Sequence, residues 1–119
     1  MDSTKAATLI AMCFEARNKA HIAHLQTKSF AQHKALNEFY DGIIGLADTF
    51  AESFQGRFGI ISKYPSVTSN TDGIAMVIAL RKWIDENRKD CGSFSEIQNE
   101  IDNIVNLCNS TIYKLQNLS

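Results

Sequence analysis

The stretch from His24 to Glu52, HLQTKSFAQHKALNEFYDGIIGLADTFAE, carries two histidines early and two carboxylates late. Asp48 and Glu52 are four residues apart, so on an α-helix they share one face, where two carboxylates can hold one cation. His33 precedes Asp48 by fifteen residues, which on a continuous helix separates them by about 22 Å. No single ion spans that distance. Histidines and carboxylates that serve one metal must therefore come from different chains, and a two-fold dimer would form two equal sites of this kind.

Composition and patterning around this stretch favour long helices. The chain of 119 residues is 45% hydrophobic and has one proline and six glycines. A chain of this length can bury a hydrophobic core without disulfides or structural metals. We expect residues 1–119 to form a single all-α domain. Apolar side chains recur at helical spacing in four segments. The predicted helices run to about Gln26, from Phe30 to Gln55, from Thr71 or Asp72 onward, and from Ser93 to the C-terminal end.

Residues at the segment boundaries predict where the helices begin and end. Gly56 fits the residue that follows a helix, and it predicts the end of the second one. The predicted N-terminal caps are Ser29 with Gln32, Thr71 or Asp72, and Ser93 with Glu96. Placing Ser29 at a cap puts His33 in the first turn of the second helix.

The segment from Arg57 to Thr71 has no helical period and contains the proline and a run of small polar residues. A four-helix bundle whose second and third helices run parallel needs a long crossover of this kind. Four apolar side chains are expected to anchor it, in a short helix that lies over the bundle. They are Ile60, Ile61, Tyr64 and Val67.

The order of His24, His33 and then Asp48-Thr49-Phe50-Ala51-Glu52 resembles the ferritin-like Dps family of DNA-protecting, iron-oxidising mini-ferritins. This resemblance extends from about Ala20 to Gly59. It implies a ferritin-like four-helix bundle with a long crossover between helices 2 and 3, a ferroxidase site shared across a dimer interface, and a hollow dodecamer. The whole chain, including its ending STIYKLQNLS, also resembles a short, uncharacterised ferritin-like family encoded by bacteriophages.

The resemblance implies that His24 and His33 of one chain and Asp48 and Glu52 of another are both the metal ligands and the catalytic residues. Two imidazoles and two carboxylates suit iron or manganese, and zinc with less preference. The leading hypothesis is Fe(II) binding and oxidation by peroxide or oxygen, which protects against oxidative stress. The competing interpretation is structural: the histidines cap or hydrogen-bond at helix ends, and the carboxylates are solvated on a helix surface.

Three other residues either lie near the predicted site or occupy a position typical of a metal ligand in ordinary ferritins. Glu15 is placed like a carboxylate of ordinary ferritins, but no Glu-x-x-His pair follows it, so the within-bundle di-iron site of that class is absent. His21 is either a further ligand, a partner that orients one, or a polar helix residue. Tyr40 either hydrogen-bonds at the site or is a core tyrosine with its hydroxyl at the edge.

A second hypothesis comes from departures from the family pattern beside the site. Leu25 stands where the family usually has tryptophan, and the connection from His24 to His33 is shorter than usual. These departures fit a phage-encoded helical bundle that acts as a non-catalytic interaction module, a small-molecule binder or a virion-associated protein.

Charge and cysteine usage exclude several other classes. Twelve basic and thirteen acidic side chains give a net charge of −1, a poor footprint for nucleic acid, so DNA binding is not expected. There is no apolar run of membrane-spanning length and no signal-peptide pattern. We therefore expect a cytoplasmic protein, in the bacterial host if a phage encodes it. Cys13, Cys91 and Cys108 are odd in number and lack CxxC spacing, so they should remain thiols.

Overall fold

The computed structural model describes all 119 residues, which form four α-helices and no strands. The helices are α1 (Thr4–Gln26), α2 (Phe30–Phe58), α3 (Gly73–Asn87) and α4 (Ser95–Asn117), with a short 3-10 helix at Arg88–Cys91. The predicted all-helical class is therefore confirmed. None of the helices combines the length and the apolarity that a membrane crossing requires.

Each helix packs directly against two neighbours, and the backbones of diagonally opposite helices stay apart. Both α1 and α4 contact α2 and α3. Lys114 near the end of α4 donates to Glu38 near the start of α2 at 2.6 Å, and Lys5 at the start of α1 donates to Asn87 at the end of α3 at 2.6 Å. These pairs of helices are thus antiparallel. The end of α1 also contacts the start of α2 across a connection of three residues, so α1 and α2 are antiparallel as well. Since α2 and α3 are both antiparallel to α1, they run parallel to each other, as the sequence predicted.

One hydrophobic core is shared by all four helices. The bundle measures 45 × 26 × 22 Å, and α2, about 43 Å long at 1.5 Å per residue, extends along nearly its whole length. From Cys13 to Ala20 the buried side chains of α1 are small, namely Cys13, Ala16 and Ala20, and they let its neighbours approach closely. The largest fully buried side chains are Leu9, Leu36, Phe39, Ile43, Phe50, Phe54, Val77, Leu80, Ile84, Ile97, Ile101 and Ile104.

The end of α2 differs from the prediction. Gly56 does not end the helix, which continues to Phe58 and stops at Gly59, whose φ of 99° is a conformation that favours glycine. Tertiary contacts hold the extra turn. The Phe58 ring packs 4.9 Å from that of Phe54 and 5.9 Å from that of Phe94. These contacts outweigh the cost of roughly 1 kcal/mol for a glycine in a helix.

The start of α4 also differs from the prediction. The expected capping box of Ser93 with Glu96 does not form, and the helix begins at Ser95 with Phe94 at the cap position and no side-chain cap. The Glu96 carboxylate pairs instead with Arg57, whose guanidinium lies 3.8 Å from the centre of the Phe94 ring. The Glu96 carboxylate that the capping box required is therefore used in the ion pair between α2 and α4.

The crossover occupies residues 59–72 and returns the chain along the bundle so that α3 can run parallel to α2. Asp72 caps α3 by accepting from the Ala75 amide at 2.9 Å, as predicted. The crossover contains no helix, which corrects the expectation of a short one. Of its predicted anchors only Ile61 is buried, whereas Ile60 is 87% exposed and Tyr64 is 47% exposed.

All three cysteines are buried and form no disulfide, as the sequence predicted. Burial raises the pKa of the Cys108 thiol to about 12. Burial and the neighbouring Asp90 carboxylate raise the pKa of Cys91 to about 11. Burial also raises the pKa of Cys13. Because the thiolate is the reactive form, these groups are inert while the protein is folded.

Alkylation with iodoacetamide at about pH 8 is expected to be at least about 100-fold slower for the folded protein than for the protein in urea, since burial suppresses both access and thiolate formation. Intact-mass spectrometry over time measures the rate, and glutathione under both conditions corrects for any effect of urea on the reagent. A cysteine that reacts equally fast in both states would contradict its burial.

Candidate functional site

His24 and His33 are brought together at the junction of α1 and α2. His24 lies in the last turn of α1, which ends at Gln26. After three connecting residues α2 begins at Phe30, directly behind Ser29, whose hydroxyl accepts from the Gln32 amide at 3.2 Å. The two imidazole rings stack with centroids 3.6 Å apart and an interplanar angle of 18°. His24 is 7% exposed, and His33 is half-buried. The sequence predicted the positions of both residues on their helices but not their stacking.

Each histidine is oriented by the backbone of the other. The His24 Nδ1 lies 2.7 Å from the His33 carbonyl oxygen, and the His33 Nδ1 lies 2.8 Å from the His24 carbonyl oxygen. Because a carbonyl oxygen only accepts, each Nδ1 carries the proton. In the neutral rings the Nε2 lone pairs are therefore free. Such fixing of the tautomer through the second nitrogen is the usual arrangement for metal-binding histidines.

The third histidine of the chain joins the same cluster. The His21 ring stacks on Tyr40 with centroids 4.0 Å apart and lies edge-on to His24 at 5.9 Å. The Tyr40 hydroxyl donates to the Asn37 side chain at 2.8 Å, and the Arg17 guanidinium lies 5.4 Å from the centre of its ring. Tyr40 thus packs beside the histidine pair while its hydroxyl is engaged elsewhere.

Asp48 and Glu52 are both solvent-exposed on α2, one turn apart. The carboxylates of the chain that form ion pairs are Glu38, Glu96 and Asp102, so neither Asp48 nor Glu52 is neutralised by a basic side chain. Because both side chains are exposed, their charges carry no burial cost that a bound cation would have to offset. Both carboxylates are free to accept a cation from outside the chain.

The histidine pair and the carboxylate pair remain separate within one chain. Because α2 is uninterrupted from Phe30 to Phe58, His33 and Asp48 are about 22 Å apart along its axis at 1.5 Å per residue. No group of three or more histidine, cysteine, aspartate or glutamate side chains in the chain is arranged to hold a metal ion. A four-ligand site built from these residues therefore requires two chains.

Asp48 also borders a cleft that the sequence did not reveal. Glu15 on α1 lines the same cleft, and the crossover closes it with Tyr64 and Pro65. The helical period places Glu15 on α1, but the path of the crossover depends on tertiary packing. No local sequence signal shows that Glu15 and Asp48 share a cavity.

A family model described as a family of unknown function (DUF5856) matches residues 24–115. The chain belongs to this family. The DUF5856 match begins at His24, so it includes His33, Asp48 and Glu52 but leaves out most of α1 with Glu15. No curated protein and no solved structure matches the chain significantly.

Proposed function

We propose that this chain is a ferritin-like, Dps-like protein that binds and oxidises Fe(II) at sites shared between two copies. His24 and His33 of one chain and Asp48 and Glu52 of another form each site. The observation that carries the proposal is the pairing of His24 with His33, in which each Nδ1 contacts the other residue's carbonyl oxygen and each Nε2 is left without a hydrogen-bond partner. The parallel course of α2 and α3 supports the ferritin-like bundle, because a long crossover is a feature of that architecture.

The exposed face of α2 supports the contribution of a second copy. Two unneutralised carboxylates lie on this face, and near them Gly45 has open space where a Cβ would lie, with no atom within 4 Å. An antiparallel approach of two α2 helices brings the start of one level with the later half of the other. His33 then faces Asp48 twice, in agreement with two-fold symmetry. From the resemblance to the Dps family, we propose a closed dodecamer as the larger assembly.

The donor set suits the chemistry. Imidazole and carboxylate ligands bind Fe(II), and carboxylates stabilise the higher charge of Fe(III). The iron is the substrate. Two Fe(II) ions each give up one electron to hydrogen peroxide, which takes up two protons and leaves as two water molecules. The residues of the chain bind and position the ions, and the carboxylates offset the charge that develops. Manganese or zinc would bind to the same ligands.

Iron titration with elemental analysis of size-fractionated protein tests the proposal. We expect one or two iron ions per shared site and Fe(II) oxidation on adding peroxide. A chain with both His33→Ala and Asp48→Ala should lose the metal, and its oxidation rate should fall by at least about 100-fold. Loss of a group that only orients a ligand already lowers metal affinity or activity by about 10–100-fold, and loss of the ligand itself should cost at least as much.

Two further variants separate metal loss from misfolding. Glu52→Gln alters an exposed side chain without changing its size, so it should remove oxidation while the thermal unfolding temperature stays unchanged. Glu86→Gln, an exposed carboxylate on α3, should leave both unchanged. A wild-type oligomer that stays metal-free and does not oxidise Fe(II) would sink the proposal.

The second candidate function is a non-catalytic binding module. The cleft between α1, α2 and the crossover favours it, because concave sites with mostly apolar walls and a few polar groups are typical of small-molecule binding. An oligomer indifferent to loss of both His33 and Asp48 would favour this alternative.

A further inference from the structure

The cleft beside Asp48 combines apolar walls with a negative rim. It has a volume of about 410 Å³, which lies within the range of small-molecule sites. Three polar side chains line it: Glu15 and Asn18 from α1 and Asp48 from α2. Its main apolar wall residues are Ile10, Phe14, Ala51, Tyr64, Pro65 and Val67.

The two carboxylates of the cleft have no cation of their own. No lysine, arginine or histidine nitrogen lies within 4.0 Å of either carboxylate. The nearby basic side chains do not pair with either carboxylate. The guanidinium of Arg17 lies over Tyr40 and donates at 3.2 Å to the side-chain oxygen of Asn18, so it reaches one lining residue but neither Glu15 nor Asp48. Lys19 donates to the Ser69 carbonyl oxygen, and Lys63 lines the neighbouring pocket on the other side of Tyr64 and Pro65, near the start of α1.

We propose that this cleft binds a small organic ammonium ion, a primary amine with a short aromatic or branched apolar body. The ammonium group donates to the carboxylates of Glu15 and Asp48, and charge-assisted hydrogen bonds of this type are among the strong ones. The apolar body is removed from water against Phe14 and Tyr64, whose exposed fractions are 42% and 47%. Aromatic rings are also favourable neighbours for a cation.

The walls distinguish this ligand class from the other candidates. An anion would face two carboxylates without a compensating base. A bare metal ion would gain nothing from the phenylalanine, tyrosine and proline side chains. A neutral apolar molecule would fill the space but leave the carboxylates unpaired. An amine with an apolar body satisfies both parts of the cleft.

Isothermal titration calorimetry with phenethylammonium chloride tests the inference on the full chain, and phenethyl alcohol is the matched neutral probe. We expect saturable binding of the amine and at least about tenfold weaker binding of the alcohol. Glu15→Gln keeps the size of the side chain and removes its charge, so it should weaken amine binding by at least about tenfold. Glu52→Gln, outside the cleft lining, should bind the amine as the wild type does. Amide shift changes in NMR should map to Phe14, Asn18 and Val67.

Each contrary result overturns the inference. These results are absence of saturable binding at millimolar amine, equal affinity for the alcohol, or an affinity unchanged by Glu15→Gln. The same variants separate this inference from the iron proposal. Glu15→Gln is expected to retain Fe(II) oxidation and lose amine binding, whereas Glu52→Gln is expected to do the reverse. Because Asp48 belongs to both proposed sites, the amine is titrated into iron-free protein and Fe(II) oxidation is assayed without amine. Loss of one property then does not obscure the measurement of the other.

Discussion

Mixing two inactive variants, His33→Ala and Asp48→Ala, is expected to restore Fe(II) oxidation to about one quarter of the wild-type rate per chain. Each variant alone lacks a ligand at every site. In a mixed pair, one site loses both ligands and the other keeps all four. With equal amounts and random pairing, half of the His33 positions and half of the Asp48 positions are intact, so a quarter of the sites are complete. The fraction is the same in a dimer and in a larger closed assembly.

The two variants are unfolded together in urea, refolded by dilution and assayed for Fe(III) formation with peroxide. Two same-side mixtures are the matched controls. His24→Ala with His33→Ala has no chain with an intact histidine pair, and Asp48→Ala with Glu52→Gln has no chain with an intact carboxylate pair. Neither should recover activity. Recovery in a control mixture, or no recovery in the His33 and Asp48 mixture despite mixed oligomers in native mass spectrometry, would contradict a shared site.

Local chemistry explains the helix boundaries that the sequence predicted well. Ser29 caps α2 and Asp72 caps α3 because each side-chain oxygen meets an amide only three residues further on. Such contacts are decided within one helical turn. The buried stripe of α2 follows from helical period in the same way, with Phe39, Ile43 and Phe50 on the predicted core face.

Contacts between distant segments explain the boundaries that the sequence predicted wrongly. Gly56 carries the local signal of a helix end, but Phe58 and Arg57 pack against the start of α4 and extend α2 past it. The same contacts remove Glu96 from its expected cap. The combined packing of Phe58, Arg57 and Phe94 outweighs a local preference of about 1 kcal/mol.

The candidate site likewise has one feature that the local sequence predicts and others that depend on contacts between distant segments. The spacing from His33 to Asp48 is a property of one helix, so the sequence was sufficient to show that one chain cannot join them. The exchange of Nδ1 contacts between His24 and His33 depends on how α1 meets α2. The pairing of Glu15 with Asp48 around one cleft depends on the crossover. Neither relation has a local pattern from which it could be predicted.

Gly73→Ala is expected to lower the free energy of unfolding by about 1–3 kcal/mol, the typical range for overpacking substitutions. A Cβ at this position would lie 2.5 Å from the Lys19 carbonyl oxygen and 2.8 Å from the Ala23 Cβ. Both are fixed parts of α1, so α3 must move away at its first residue, directly after its Asp72 cap. Urea unfolding followed by circular dichroism measures the change.

Gly56→Ala is the matched control, because the same methyl group meets no atom within 4 Å there. Gly56 lies inside α2, so this substitution should stabilise the chain by up to about 1 kcal/mol through helix propensity. The opposite signs separate close helix packing from a general effect of replacing glycine. Equal effects at Gly73 and Gly56 would mean that α1 and α3 do not meet as closely as their contact at Gly73 indicates.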